Sequence, residues 1–283
     1  MTRTVETNLE MIRHVARRLG VLRERMVFLG GAATALLITD TATPDVRITT
    51  DVDVIVEIAS RVEYYRLAES LRSLGFKEDH GEGAPLCRWQ IDGIAVDVMP
   101  TDSEILGFSN QWYSPALQLA TVCEIAEGLK IRVVTSPFFL ATKIEAFHSR
   151  SKGDFMASHD MEDIVTLLDG RPELVAEVRA APDGVKAFLS RSFKDFLLKR
   201  DFLDSLPGYL MPDSASQRRI PLVIEKIRAV AETVLLPDLG QSDEGMRGRG
   251  DAGQASRMIS YVSQGNPSPP ARSAPISTFP VFS

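Results

Sequence analysis

The sequence has no long apolar run. A membrane-spanning helix needs about 20 mostly apolar residues in succession, and no stretch approaches that, so no membrane partner is expected. The opening decapeptide "MTRTVETNLE" lacks the apolar segment of a secretory signal. Cysteine is scarce: Cys87 and Cys123 are the only two, far apart and in no metal-type spacing. A disulfide framework and a thiolate zinc site are thereby disfavoured, and both are expected to be reduced core thiols in a cytoplasmic protein. The four histidines, His14, His80, His148 and His159, share no ligand spacing and are expected to be non-ligands. Positive charge is not in surplus either. A net charge of −6 gives no global attraction to nucleic acid, so any RNA contact needs a local basic patch. The basic run "RSFKDFLLKR" (191–200) is expected to be a solvated helix face.

What is present suffices for a sizeable core: 283 residues, 44% of them hydrophobic, allow one large or two modest domains. No internal repeat is evident. Residues 5–22 carry apolar positions Leu9, Ile12, Ala16 and Leu19 at helical spacing. "MVFLGG" (26–31) reads as a short strand ending in two glycines, and 32–38 as a helix. After a loop containing Pro44 comes "DVDVIV" (51–56), a core strand. Residues 60–74 read as a helix stopped by Gly75. In 86–99, Asp92-Gly93 between alternating runs predicts a hairpin with a type I′ turn. A strand at 131–136 and a helix at 137–150 follow, with Pro137 in the first turn. Helices with short breaks are then expected to about Leu236, including 158–168, 184–204 and 217–236. Beyond Pro237 the composition turns to Gly, Ser and Pro, which predicts a mostly disordered tail. The expected division is an α/β domain over 1–136, a helical domain over 137–236 with a cleft between the two, and the tail over 237–283.

The acidic strand poses the chemical question. Side chains alternate along a strand, so Asp51 and Asp53 point to the same face, about 7 Å apart. On the second hairpin strand Asp97 shares a face with Ala95 and Met99. Like charges placed together in a core are costly unless something positive lies among them, and a metal ion is the leading candidate. Three carboxylates suit Mg²⁺, which prefers oxygen and shares its shell with substrate phosphates. Gly30 and Gly31, at a strand-to-helix turn, let backbone approach a ligand, and the helix N-terminus favours an anion. A phosphate cradle beside a carboxylate metal site is what phosphoryl or nucleotidyl transfer needs. Two ions about 4 Å apart would bind the attacking and leaving oxygens.

These segments resemble the nucleotidyltransferases of DNA polymerase β fold, and more narrowly the AbiEii-type toxins to which the MenT toxins are related. The resemblance covers roughly residues 25–170. It is carried by "LGGAATAL" at Gly30 and Gly31, and by "RITTDVDV" at Arg47, Thr49, Asp51 and Asp53. "VDVMP" adds Asp97, and "KIEAFHSR" with "HDMEDI" adds Lys143, Ala146, Arg150, Asp160 and Asp163. It implies an α/β (α+β) fold, a polymerase-β-like lobe with a mixed sheet followed by a helical lobe. It also implies transfer of a nucleoside monophosphate from an NTP to an acceptor hydroxyl, with two Mg²⁺ ions. The implied acceptor is the 3′ end of tRNA, and the implied partner a cognate antitoxin.

The implied catalytic residues are Asp51, Asp53, Asp97 and Lys143. Asp51 and Asp53 would bridge metal and NTP, Asp97 would complete the metal set and help deprotonate the hydroxyl, and Lys143 would contact the triphosphate. Gly30, Gly31, Arg47, Thr49, Arg150 and Asp160 complete the implied nucleotide site. Arg47 and Arg150 read equally well as salt-bridge partners, Asp160 as a contact of Lys143, and Asp163 as a helix brace. The chain departs from the wider superfamily at Gly31, where many members carry a phosphate-contacting serine; Thr34, one turn on, is a candidate substitute. His159 stands where the family often has a basic residue. Two further readings remain: an antibiotic-type, small-molecule nucleotidyltransferase, and a non-catalytic nucleotide-binding regulator of the same fold.

Overall fold

The computed structural model describes residues 3–43, 46–151 and 153–234, all of which fall in one contact unit, Met1–Pro237. The tail expected over 237–283 lies outside the described residues, as does Pro44.

Helix α1 (Arg3–Leu19) buries the stripe read from its sequence, Leu9, Ile12, Ala16 and Leu19, and runs into a 3-10 turn (Gly20–Arg25). Strand β1 (Met26–Leu29) is wholly buried and leads directly into α2 (Gly30–Leu37). The glycines therefore open the helix rather than end the strand. With Ala32, Ala33 and Ala35 as side chains, α2 is thin enough to pack against both α1 and the next strand, β2 (Asp51–Val56). Helix α3 (Arg61–Ser73) begins at a Ser60 cap that accepts from the Glu63 backbone N–H, and Gly75 follows it at φ +90.

A short β3 (Lys77–Glu78) precedes the hairpin β4 (Arg88–Ile91) and β5 (Ile94–Pro100). Asp92 at φ 50 and Gly93 at φ 83 are both left-handed, as the expected type I′ turn requires. After the short helices α4 (Ser103–Leu106) and α5 (Tyr113–Gln118), β6 (Thr121–Ala126) and β7 (Leu129–Val133) form a second hairpin. Strand β6 was not legible in the sequence: it is an edge strand with only Ile125 buried, so its apolar alternation is weak. The seven strands make one mixed sheet in the order β3-β4-β5-β2-β1-β7-β6, with β1 parallel to β7 and β2 parallel to β5.

The remaining elements among the described residues are helical, as expected: α6 (Ser136–Arg150), α7 (His159–Gly170), α8 (Leu174–Ala180), α9 (Asp183–Leu197), α10 (Arg200–Ser205), α11 (Ser214–Gln217) and α12 (Ile220–Ala231). One core cluster runs without a break from Ile12 through the sheet to Ala231. The C-terminus of α7 is fixed from a distance: the Lys226 ammonium donates to the carbonyls of Leu168 (2.7 Å), Asp169 and Arg171. A cation there meets the negative end of the helix dipole and supplies donors that the last turn lacks. Arg219 joins Asp169 (2.6 Å) to Asp40 (2.7 Å), tying the segment after α2 to the same helix end. In 191–200, Arg191, Lys194, Lys199 and Arg200 are exposed, while Phe193 and Phe196 are buried. No helix among the described residues is long and apolar enough to cross a membrane.

Candidate active site

Register places the acids. Parallel pairing of β2 with β5 sets Asp53 opposite Asp97 and Asp51 opposite Ala95, so all three carboxylates rise from one sheet face. Pairing of β1 with β2 sets Leu29 opposite Asp53, which brings the start of α2 against that carboxylate. Gly30 sits at φ +75, and a Cβ there would overlap the Asp53 side chain, only 2.5 Å from its Cγ. Glycine is thus required twice over at this position, for conformation and for space. Gly31 is crowded differently: a Cβ would lie 2.6 Å from Thr49 Cγ2 and 2.7 Å from Arg47 Nη2. The serine of the wider superfamily does not fit here unless Arg47 and Thr49 move. Thr34 does not replace it, being buried and absent from the cleft wall.

A cleft of 1360 Å³ opens above the acids. Gly30, Gly31, Arg47, Asp51, Asp53, Asp97, Lys143, Arg150 and Asp160 all line it, on five separate chain segments. Thr49 does not. It is buried, its hydroxyl donates to the Asp51 carbonyl (3.2 Å), and its N–H donates to Asn8, so it braces the wall from behind.

The positive group that stands between Asp51 and Asp97 is Arg88. Its Nε donates to Asp97 Oδ1 and its Nη2 to Asp97 Oδ2, both at 2.8 Å, and Nη2 also reaches Asp51 Oδ2 at 3.1 Å. Pairing to the acids, Asp97 first, raises the Arg88 pKa despite partial burial. No hydrogen bond or ion pair reaches the Asp53 carboxylate among the described residues. Desolvation, then the charges of Asp51 and Asp97, push its pKa up to about 7, against the pull of Lys143 and Arg150. Among the described residues no three His, Cys, Asp or Glu side chains are grouped closely enough to hold a metal ion as they stand. The donor chemistry nonetheless fits a hard divalent cation. Of three oxygen-donor carboxylates, the single guanidinium pairs with two, Asp51 and Asp97, and Asp53 is left without a partner.

The opposite wall is an ion-pair network. Lys143 Nζ lies 2.6 Å from Asp163 and 3.2 Å from Asp160; Arg47 reaches Asp163 at 3.2 Å, and Arg150 reaches Asp160 at 3.1 Å. Burial alone would lower the Lys143 pKa, but Asp163 and Asp160 more than offset it and the net shift is upward. Leu140, Ile144 and Phe147 are buried as the expected inward stripe of α6, and Lys143, Ala146 and Arg150 face the cleft. Asp163 lies behind Lys143 and Arg47 rather than in the cleft wall. None of the four histidines joins the site's acids: His14 pairs with Asp92, His80 with Glu78 and His159 with Glu162, while His148 packs on Phe147 and Phe196.

Sequence reasoning missed Arg88, although the signal was there. A two-residue turn at Asp92-Gly93 fixes the hairpin register, pairing Ile91 with Ile94 and, three steps on, Arg88 with Asp97. Any same-face partner of Asp97 on β4 could have been found by counting back from the turn. Cys87 is a buried free thiol as expected, whereas Cys123 is half-exposed on edge strand β6.

No family model and no curated protein matches the chain in sequence. Among solved structures it is similar to an antigenic nucleotidyltransferase-like protein from Paracoccidioides brasiliensis. That match has 22% identity, covers 75% of this chain and 96% of that one, and has a TM-score of 0.43. It is also similar to JHP933 from Helicobacter pylori, at 10% identity and a TM-score of 0.41, over 82% of this chain and 94% of that one.

Proposed function

We propose that the protein is a nucleotidyltransferase, moving a nucleoside monophosphate from an NTP to an acceptor hydroxyl and releasing pyrophosphate. The observation that carries this reading is the convergence of Asp51, Asp53 and Asp97 on one sheet face, beside the glycine-opened helix α2 and across one cleft from Lys143 and Arg150. The acceptor oxygen attacks the α-phosphorus as the bond to pyrophosphate breaks, and the hydroxyl proton passes to Asp97. When bound, Mg²⁺ held by the three carboxylates supplies charge neutralisation at the phosphates. Lys143 and Arg150 attract the triphosphate and offset charge on the departing pyrophosphate. The first residues of α2, Gly30 and Gly31, line the same cleft, and no side chain caps that helix end.

The acceptor proposed from the resemblance is the 3′ end of tRNA, in a toxin restrained by an antitoxin. The test is incubation with each α-labelled NTP and Mg²⁺, with total tRNA or a mixture of aminoglycosides as acceptor, and with Asp53→Asn as control. Label on tRNA supports the toxin reading, and label only on small-molecule acceptors supports the antibiotic-type enzyme. NTP binding with no transfer to either overturns the enzyme reading.

A further inference from the structure

The hairpin that delivers Asp97 also delivers its counter-charge. Arg88 and Asp97 are cross-strand neighbours, and the guanidinium fork meets both carboxylate oxygens at 2.8 Å before reaching Asp51 at 3.1 Å. Bidentate arginine–carboxylate pairing of this kind is among the stronger side-chain contacts. It falls on two of the three carboxylates that the proposed reaction needs for a divalent cation. One positive charge for three acids is an incomplete match, and Asp53 receives none of it directly.

We infer that Arg88 is a built-in counter-cation: its guanidinium holds Asp51 and Asp97 until a divalent cation displaces it into the cleft. The hairpin makes this feasible as a side-chain movement alone. The Arg88 backbone is pinned, its N–H to the Pro85 carbonyl and its carbonyl to the Asp79 N–H. Its side chain is about a quarter exposed (25%) and lines the cleft, next to the exposed Leu86. Rotation about the side-chain torsions therefore frees the carboxylates without breaking the sheet. The released guanidinium then faces the space where the triphosphate would enter, and phosphate oxygens suit the same fork. Cation and NTP are coupled in consequence. The cation binds weakly alone, because Arg88 must give up its carboxylates with nothing in return, and more tightly when a triphosphate receives it. By reciprocity, NTP binding is strengthened to the same degree by the cation.

This inference rests on the nucleotidyltransferase reading for its cation, and the test separates the two. Mn²⁺ binding, first without nucleotide and then with NTP, is measured by electron paramagnetic resonance on the full chain, for the wild type, Arg88→Gln, Arg88→Lys and Asp53→Asn. Arg88→Gln should bind Mn²⁺ about tenfold more tightly than the wild type or better, as expected for removal of one charged competitor. Arg88→Lys should fall between, and Asp53→Asn should bind least. If Arg88→Gln fails to fold, the Arg88 Nε–H signal in nuclear magnetic resonance of the wild type decides, and it should shift as Mg²⁺ and NTP are added. Equal or weaker Mn²⁺ binding by Arg88→Gln, or an Nε–H signal that does not move at saturation, overturns the inference and leaves the enzyme reading standing. No Mn²⁺ binding by any variant, with or without NTP, overturns both.

Discussion

Replacing Lys143 by Met tests whether the cleft wall is an ion-pair assembly. Methionine keeps most of the aliphatic length and removes the ammonium, which lies 5.9 Å from the centre of the Phe139 ring. Asp163, its side chain 3% exposed, then loses its nearest partner at 2.6 Å, and Asp160 loses one at 3.2 Å. Breaking a buried pair by deleting one partner costs about 3–5 kcal/mol. Each carboxylate here keeps one arginine, Arg47 for Asp163 and Arg150 for Asp160, so the cost falls at or below the bottom of that range, about 2–3 kcal/mol. Urea unfolding at pH 7 measures the loss through the transition midpoint at constant slope. The double variant Lys143→Met with Asp163→Asn removes the stranded charge and should recover at least half of it. A loss below about 0.5 kcal/mol, the size of an ordinary surface substitution, or no recovery in the double variant, refutes the assembly. Transfer should fall about 10²-fold in Lys143→Met, since a preorganised charge at the phosphates is lost.

Three further outcomes are expected. Gly30→Ala should destabilise by about 2–4 kcal/mol, from a strained positive φ and overlap with Asp53; thermal unfolding within experimental error of the wild type would show that α2 and β2 separate easily. Asp53→Asn should abolish nucleotidyl transfer while leaving the cation-free melting temperature unchanged or higher, because a carboxylate crowded by Asp51 and Asp97 becomes neutral; near-normal turnover by this variant would remove Asp53 from the site. Burial, with Asp97 and Asp53 nearby, pushes the Cys87 thiol up to about 12; iodoacetamide at pH 8 should alkylate half-exposed Cys123 and spare Cys87 until the chain is unfolded, and equal rates in the folded protein would contradict the burial.

The sequence was most legible where one period dominated. The α1 stripe, the alternation of β2 and the Asp92-Gly93 turn each impose a single local geometry, and each appears as expected. The site's acids were legible for the same reason, since strand parity alone puts Asp51 with Asp53 and Asp97 with Met99. Edge strand β6 was not, because a strand with one buried side chain leaves little hydrophobic record. The pairings of Lys143 and Arg47 with Asp163 were not legible as geometry either. They join α6, the segment before β2 and α7, whose meeting depends on tertiary packing that no local spacing encodes. Arg88 lies between these cases: local in register, yet hidden because its role emerges only when two strands are counted against each other.

The capping of α7 by Lys226 has a consequence for the order in which the protein is made. A chain emerges from the ribosome N-terminus first and folds in that direction. The sheet is complete at Val133, and all three acids are in place long before Arg219 and Lys226 appear. Until they do, the last turn of α7 lacks its two side-chain partners and is held only by its buried apolar face and by the Gly170 carbonyl, which accepts from the Thr39 and Asp40 N–H groups. Nascent chains stalled at increasing lengths would gain secondary structure gradually. Ordering of the last turn of α7, by contrast, would appear abruptly, at the length that first frees residue 226 to reach the carbonyls of Leu168, Asp169 and Arg171.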